Sequence, residues 1–264
     1  MAVQRQLIPD VERQSRNIHL ANLLARESVP TVVYMKTTCG EWAASNGEYT
    51  LAEKLKGEHI DFYVSPDLIC ELGRGLAKLH LALSKIESEL QYEDYDFFDE
   101  WESYTKPGLV GVPEDIIKNT DAKIFAVYEK LPRCPIHRDI HAENVLFHNG
   151  KISGWLDFDL NRKDARIFDI AYLLAGLLVK RFHDPSMLKT WKTIYQNLLD
   201  GYNEVSQLTA DEIESLPFLM IAIELLFVTY FNSLGNDSER DDAIKLAKWL
   251  FYNGGKHDTG KIIS

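Results

Sequence analysis

One short stretch of this sequence brings three oxygen-bearing side chains together. Asn144-Val-Leu-Phe-His148 and Lys151-Ile-Ser-Gly-Trp-Leu-Asp-Phe-Asp159 are strand-like runs joined by Asn149-Gly150. That dipeptide favours a two-residue hairpin turn, because both positions accept a positive φ. Counting outward from the turn pairs His148 with Lys151 and Phe147 with Ile152, and sets Asn144 opposite Trp155. Asp157 lies two residues further on, diagonal to Asn144 and on the same face, since side chains alternate along a strand. His137-Arg138-Asp139 stands just upstream, in a loop that must turn back to feed the first strand. Asp139, Asn144 and Asp157 therefore converge at the open end of the hairpin. Hard oxygen donors of this kind suit Mg²⁺, which takes one or two carboxylates and leaves its other positions to water and phosphate oxygens. A carboxylate at Asp139 is within reach of a substrate hydroxyl proton. Metal-neutralised phosphates and a carboxylate that positions the nucleophile are the parts that phosphoryl transfer needs. A competing reading makes His137, Asp139 and His141 the ligands of a hydrolytic zinc ion. Zinc needs further His or Asp ligands in similar clusters, and none is apparent in the sequence.

The same residues carry a family resemblance. His137-Arg-Asp139-Ile-His-Ala-Glu-Asn144 fits His-x-Asp-x-x-x-x-Asn, and Asp157-Phe-Asp159 stands where protein kinases have Asp-Phe-Gly. Leu72-Gly-Arg-Gly-Leu-Ala-Lys-Leu-His80, Tyr49-Thr-Leu-Ala-Glu53 and Arg166-Ile-Phe-Asp169-Ile-Ala-Tyr172 complete the pattern. Together they make the stretch from about residue 30 to 180 similar to the aminoglycoside phosphotransferase and choline kinase group of small-molecule kinases. The resemblance implies an α+β, protein-kinase-like fold of two lobes. Residues 1–57 would form a reduced, β-containing N-terminal lobe with its hinge, and 58–264 a large, mainly helical C-terminal lobe with the catalytic hairpin and the acceptor pocket. It implies ATP and Mg²⁺ as cofactors, Asp139 as catalytic base, and Asn144 and Asp157 as metal ligands. His137 becomes a structural residue of the loop, and Asp169 braces the loop from within the helical body. Backbone groups of Glu53, Lys54 and Leu55 are expected to meet the adenine. Residues 2–7 take the place of the strand that usually bears a phosphate-binding lysine, with Gln4 or Arg5 near its position and Glu12 as the early acidic candidate. No glycine precedes Gly40, so a phosphate-covering loop is not expected. Two functions follow from the resemblance. One is transfer of the γ-phosphoryl group of ATP to a hydroxyl of a small molecule, such as an amino sugar, choline or homoserine. The other is nucleotide binding with weak or absent catalysis, for want of the phosphate loop.

The elements that must position these residues are mostly helical. Leu72, Leu76, Leu79 and Leu83 recur at helical spacing within 66–88, an apolar stripe on one face. Further helices are expected over 10–27, 168–182, 186–205, 211–234 and 238–252, with Thr209 and Glu212 forming a capping box before one of them. Strands are expected within 31–55, around an Asn46-Gly47 turn. Gly73-Arg-Gly75 sits inside a helical stripe and reads as helix packing rather than a nucleotide loop, and His80 as the residue that closes the helix. The acidic stretch 92–102 reads as a solvated helix or loop. Glu224 stands out in Phe218-Leu-Met-Ile-Ala-Ile-Glu-Leu-Leu-Phe227. A carboxylate there is costly unless it is paired, opens on a cavity or reaches the helix surface, so it is a candidate for facing a substrate.

Composition sets the outer bounds. The chain has 264 residues, 45% hydrophobic and 26% charged, enough apolar material for a sizeable core. A formal charge of −11 disfavours a nucleic-acid partner of the same sign. Three scattered cysteines fit neither a disulfide framework nor a Cys-Cys zinc site. Neither a signal peptide nor an apolar run approaching a membrane span is read from the sequence, so the expected address is the cytoplasm and no membrane partner is expected.

Overall fold

The computed structural model describes residues 2–5, 11–44, 49–65, 67–92 and 95–254. The expected Asn46-Gly47 turn lies outside them, as do Pro66 and the side chains of Gln4, Arg5 and Glu12. The chain begins with strand β1 (Ala2–Arg5), helix α1 (Val11–Arg26), and strands β2 (Tyr34–Met35), β3 (Ala43–Ala44) and β4 (Tyr49–Ala52). β4 is the common partner, antiparallel to β1, β2 and β3, with Arg5 opposite Tyr49. The strands expected in this region are present but short.

Helix α2 (Leu68–Ile86) follows, and its stripe is buried as the spacing requires: Leu72, Leu76, Leu79 and Leu83 have no exposed surface. Its principal neighbour is α6 (Pro185–Asn203). The two backbones approach so closely that a Cβ at Gly73 would strike the carbonyl oxygen of Leu198, and one at Gly201 that of Cys70. Gly73 therefore serves helix packing, and Gly75 lies against the Ile152 side chain. Helices α5 (Ile167–Leu178), α7 (Ala210–Ser233) and α8 (Asp237–Trp249) complete the C-terminal body. Thr209 and Glu212 form the expected capping box of α7. Glu212 also accepts from Arg166 Nε at 2.7 Å, a buried ion pair that ties α7 to the start of α5.

Three expectations need correction, and some elements were not read. The described part of 92–102, residues 92 and 95–102, is not a solvated stretch: Phe97 and Trp101 are fully buried, in and just after α3 (Phe97–Glu100). The acidic residues around them are taken up by the fold, Asp96 capping α3 and pairing with Arg133, and Glu100 pairing with Arg138. Beside the hairpin a second antiparallel pair was not legible, β5 (Arg133–Ile136) with β8 (Arg162–Ala165). A further helix, α4 (Glu114–Val127), was not legible. In the hairpin of β6 (Val145–His148) and β7 (Lys151–Trp155), His148 faces Lys151 and Phe147 faces Ile152, but Leu146 faces Gly154 and Val145 faces Trp155. Ser153 is the extra residue of a bulge, which shifts everything beyond it by one position. Finally, α7 is long and apolar enough to cross a membrane, with a mean hydropathy of 1.7, although 67% of that window is buried inside the protein. Burial of that extent marks the core helix of this fold.

Candidate active site

The loop after β5 is held from below by one carboxylate. Asp169, in the first turn of α5 and fully buried, accepts from the backbone N–H of His137 at 3.0 Å and of Arg138 at 2.7 Å. The brace expected at Asp169 is thus present. It is itself held by His80 Nε2 at 2.9 Å, whose Nδ1 meets the Tyr202 hydroxyl at 2.8 Å. His80 therefore does not close α2. It sits in mid-helix, 3% exposed, and links α2, α5 and α6. The grip on two successive amides fixes a turn in which Arg138 has φ 72°, a left-handed conformation that a non-glycine residue keeps only when its surroundings impose it. His137 is fully buried and donates from Nε2 to the Leu156 carbonyl at 2.7 Å, while burial pulls its pKa below the ordinary value. Neutral and ring-locked, it ties the loop to the end of the hairpin, as a structural residue should.

Asp139 emerges from this turn half-buried. Its Oδ1 accepts from the Tyr172 hydroxyl at 2.8 Å, and its Oδ2 from Asn144 Nδ2 at 3.1 Å. His141 Nε2 lies 3.5 Å from Oδ2. Hydrogen bonding from His141, then from Tyr172, holds the Asp139 carboxyl below the usual carboxylate range. Burial raises the Tyr172 phenol, and the facing Asp139 charge adds to it, so Tyr172 remains a donor. The result is an ionised, oriented carboxylate able to accept a proton.

Asn144 also gives Nδ2 to the Asp139 carbonyl at 2.9 Å, which turns its amide oxygen away from Asp139. Its own carbonyl receives the Leu156 N–H at 2.9 Å, drawing in the segment that carries Asp157. Strand alternation does not place Asp157, because β7 ends at Trp155 and Asp157 has φ 54°. A left-handed residue after the strand re-aims the chain, and Asp157 Oδ1 accepts from the Asp159 N–H at 3.2 Å. Asn144 and Asp157 line one cleft of about 380 Å³, together with Thr31, Tyr34, Thr50 and Trp155. Among the described residues no group of three or more His, Cys, Asp and Glu is arranged to enclose a metal ion. Both ring nitrogens of His137 are engaged, Nε2 with the Leu156 carbonyl and Nδ1 with the Asp139 N–H. One amide oxygen and one carboxylate on an open cleft suit a hydrated Mg²⁺ that takes its remaining oxygens from a phosphate.

Glu53, Lys54 and Leu55 follow β4 directly. Glu53 donates its N–H to the Val33 carbonyl at 3.1 Å, and its side chain and that of Lys54 are exposed. Arg5 is carried on β1 beside Tyr49. On the other side of Asp139, His141 and Tyr172 line a second cavity of about 430 Å³ with Phe227, Phe231 and Glu224. Glu224 is 2% exposed, and burial raises its carboxyl to about 8. It is neither paired nor at the helix surface; it opens on this cavity, as its place in an apolar run allowed. Tyr172, which joins the two halves of the site, was read only as part of a motif.

The sequence profile of the phosphotransferase enzyme family (APH) matches residues 6–208. The chain belongs to that family. Among the family's curated relatives, the homoserine kinase of Gluconobacter oxydans is 27% identical over 172 residues, 61% of this chain and 52% of its own length. That of Acidiphilium cryptum is 32% identical over 145 residues, 54% of this chain and 42% of its own. The chain thus spans about half the length of the curated relatives it matches. The fold is that of solved small-molecule phosphotransferases. A microcompartment-associated aminopropanol kinase aligns with a TM-score of 0.69 at 17% identity, over 94% of this chain and 82% of its own. An amicoumacin kinase in complex with AMP-PNP, Ca²⁺ and Ami aligns at 0.68 and 16%, over 97% and 81%. For a choline/ethanolamine kinase family protein of Mesorhizobium loti the values are 0.67 and 14%, over 99% and 85%.

Proposed function

We propose that this member of the phosphotransferase family moves the γ-phosphoryl group of ATP to a hydroxyl of a small molecule. The observation that carries the reading is that the side chains in contact with Asp139 line two different cavities. Its partner Asn144 lines one, and its partners Tyr172 and His141 line the other. A carboxylate so placed can meet a donor from one side and an acceptor from the other. In this reading the cleft of Asn144 and Asp157 takes the triphosphate, and the Tyr172 cavity takes the alcohol. The acceptor oxygen forms its bond to the γ-phosphorus as the bond to the β-phosphate oxygen breaks, ADP leaves, and the hydroxyl proton passes to Asp139. Tyr172 and Asn144 hold the carboxylate so that its oxygens keep one orientation, and burial of the loop beneath it limits reorganisation. Asn144 and Asp157 would hold Mg²⁺, which offsets the phosphate charge. Backbone groups of Glu53, Lys54 and Leu55 take the adenine and Arg5 approaches the phosphates. The small sheet through residue 57 and the body from 58 act as the two lobes.

Phosphoryl transfer from ATP to a panel of small alcohols, followed as ADP release with Mg²⁺ present, tests this. Asp139→Asn keeps the hydrogen-bonding shape and removes the base, so kcat should fall by about 10²-fold or more. Wild-type turnover in that variant would overturn the assignment.

A further inference from the structure

A further cavity, of about 470 Å³, opens between α1, the stretch that follows α2 and the segment from Phe158 to Arg162. Asn17, Phe158 and Asp159 are common to it and the cleft of Asn144 and Asp157, whereas Arg16, His19 and Arg162 belong to this cavity and not to the cleft. Arg162, the first residue of β8, is the group the fold leaves unmatched. Its Nη1 is shut in without a hydrogen-bond partner, and among the described residues no carboxylate forms an ion pair with it. The carboxylates around it are committed elsewhere. Glu100 pairs with Arg138, and Asp164 accepts from the Phe97 N–H at 3.0 Å and from the Tyr128 hydroxyl. Glu89 accepts from Arg26 Nη1 at 3.1 Å, and Asp159 accepts from Asn17. Tyr95 covers one face of the Arg162 guanidinium, 5.4 Å from its ring centre. Burial, and then the neighbouring charge of Arg138, pull that guanidinium below its ordinary value. A cation held in this way is costly until an anion meets it.

We propose that this cavity binds a phosphate group, as a small phosphate monoester or as inorganic phosphate, with Arg162 as its main holder and Arg16 as the second cation. A guanidinium presents its N–H donors in a planar fork that matches phosphate oxygens. Arg162 approaches from β8, and the exposed Arg16 approaches from α1. A carboxylate has two oxygens in one plane and suits a single guanidinium, whereas the oxygens of a phosphate point to several sides and can accept from both. His19 lines the α1 wall, its Nε2 3.4 Å from the Glu89 carbonyl. The volume exceeds what a bare ion needs. Tyr92, fixed by its hydroxyl on Asn161 at 2.8 Å, forms with Tyr95 and Phe158 an aromatic wall for a small organic body. This site does not rest on the phosphotransferase reading. A phosphate held by Arg16 and Arg162 would tie α1 to the segment that follows Asp157.

The test follows thermal unfolding of the full chain in EDTA, without nucleotide, over about 0.1 to 10 mM glycerol 3-phosphate or inorganic phosphate. Sodium glycerate and sodium chloride at equal ionic strength are the controls, because salts alone shift stability. The midpoint should rise and saturate with at least one of the two phosphates and stay level with glycerate and chloride. A response to the monoester alone identifies an organic phosphate as the ligand, and an equal response to both identifies the phosphate group itself. Arg162→Gln should weaken the response about tenfold or more, and Arg162→Lys, which keeps the charge and loses the fork, by less. Without ligand, Arg162→Gln should unfold no earlier than the wild type, since it removes a cation that has no partner. Arg16→Gln, on the exposed side of α1, leaves the fold intact and should weaken the phosphate response several-fold. It keeps the test decisive should Arg162→Gln fail to fold. No saturable rise with either phosphate, an equal rise with glycerate, or an undiminished rise in Arg162→Gln or in Arg16→Gln would overturn the proposal.

Discussion

Two backbone amides, those of His137 and Arg138, end on a single buried carboxylate, and the geometry of Asp139 depends on it. Asp169→Ala would leave both amides and the facing His80 ring nitrogen without their acceptor in a dry interior. We expect a loss of about 3 kcal/mol or more in chemical denaturation, whereas a replacement that cost less than about 1 kcal/mol would show that the loop is held otherwise. Glu224 gives a second expectation. Folded, it keeps its proton up to about 8, above the ordinary 4.5. Between those values the native state binds the proton and the unfolded chain does not, so stability falls as pH rises through the window and levels off above it. The difference between wild type and Glu224→Gln should therefore change by roughly 1 kcal/mol per pH unit between pH 5 and 8 in urea titrations. At this scale much was readable. Asp139, Asn144 and Asp157 are oxygen donors at a spacing that only a loop and a hairpin can close. What could not be read is how Asp157 arrives, because neither the bulge at Ser153 nor the positive φ at Asp157 leaves a mark on residue type. His80 was misread for a related reason: a histidine near the end of an apolar stripe looks like a terminus until the partners from α5 and α6 are in place.

The helices were legible where apolar residues recur at three and four, and their limits differ from the expected ones by a few residues at most. The failures fall where polar residues are consumed by partners remote in sequence. Asp96, Glu100 and Asp164 look like solvent-facing charge, yet they cap α3, pair with Arg138, and receive the Phe97 N–H at 3.0 Å, respectively. The β5 strand was hidden by its own brevity and by Pro135, a residue that argues against a strand unless a partner strand is known. Helix packing offers the sharpest test at this scale. Gly201→Ala would drive a Cβ into the Cys70 carbonyl and push α6 off α2. We expect it to lower stability by about 1–3 kcal/mol, read as a lower urea midpoint with an unchanged slope. A neutral substitution would mean that the two helices can part without cost. Glu212→Gln should behave in the same direction, since it leaves the part-buried Arg166 guanidinium without its counter-charge.

For the whole molecule, the decisive feature is that elements far apart in the chain build two cavities and meet at one carboxylate. The cleft draws on β4, the segment before β2 and the hairpin, and the second cavity on α5, α7 and α8. The sequence located the hairpin and led us to expect an acceptor pocket in the helical body, but no periodicity states which helix faces which, so the walls of the second cavity became visible only in the fold. The excess of acidic residues shows why a cation matters here. The described residues lining the cleft include carboxylates, so in the proposed reading Mg²⁺ would offset their repulsion of a triphosphate. The most direct measurement is therefore thermal unfolding of the chain with millimolar ATP, with and without Mg²⁺, for the wild type and Asp157→Ala. The account expects a rise in the midpoint that requires both ATP and Mg²⁺ and is lost in Asp157→Ala, as for a ligand that binds only the folded protein. An ATP effect that is independent of Mg²⁺, or that survives intact in Asp157→Ala, or no effect at all in the wild type, would contradict it.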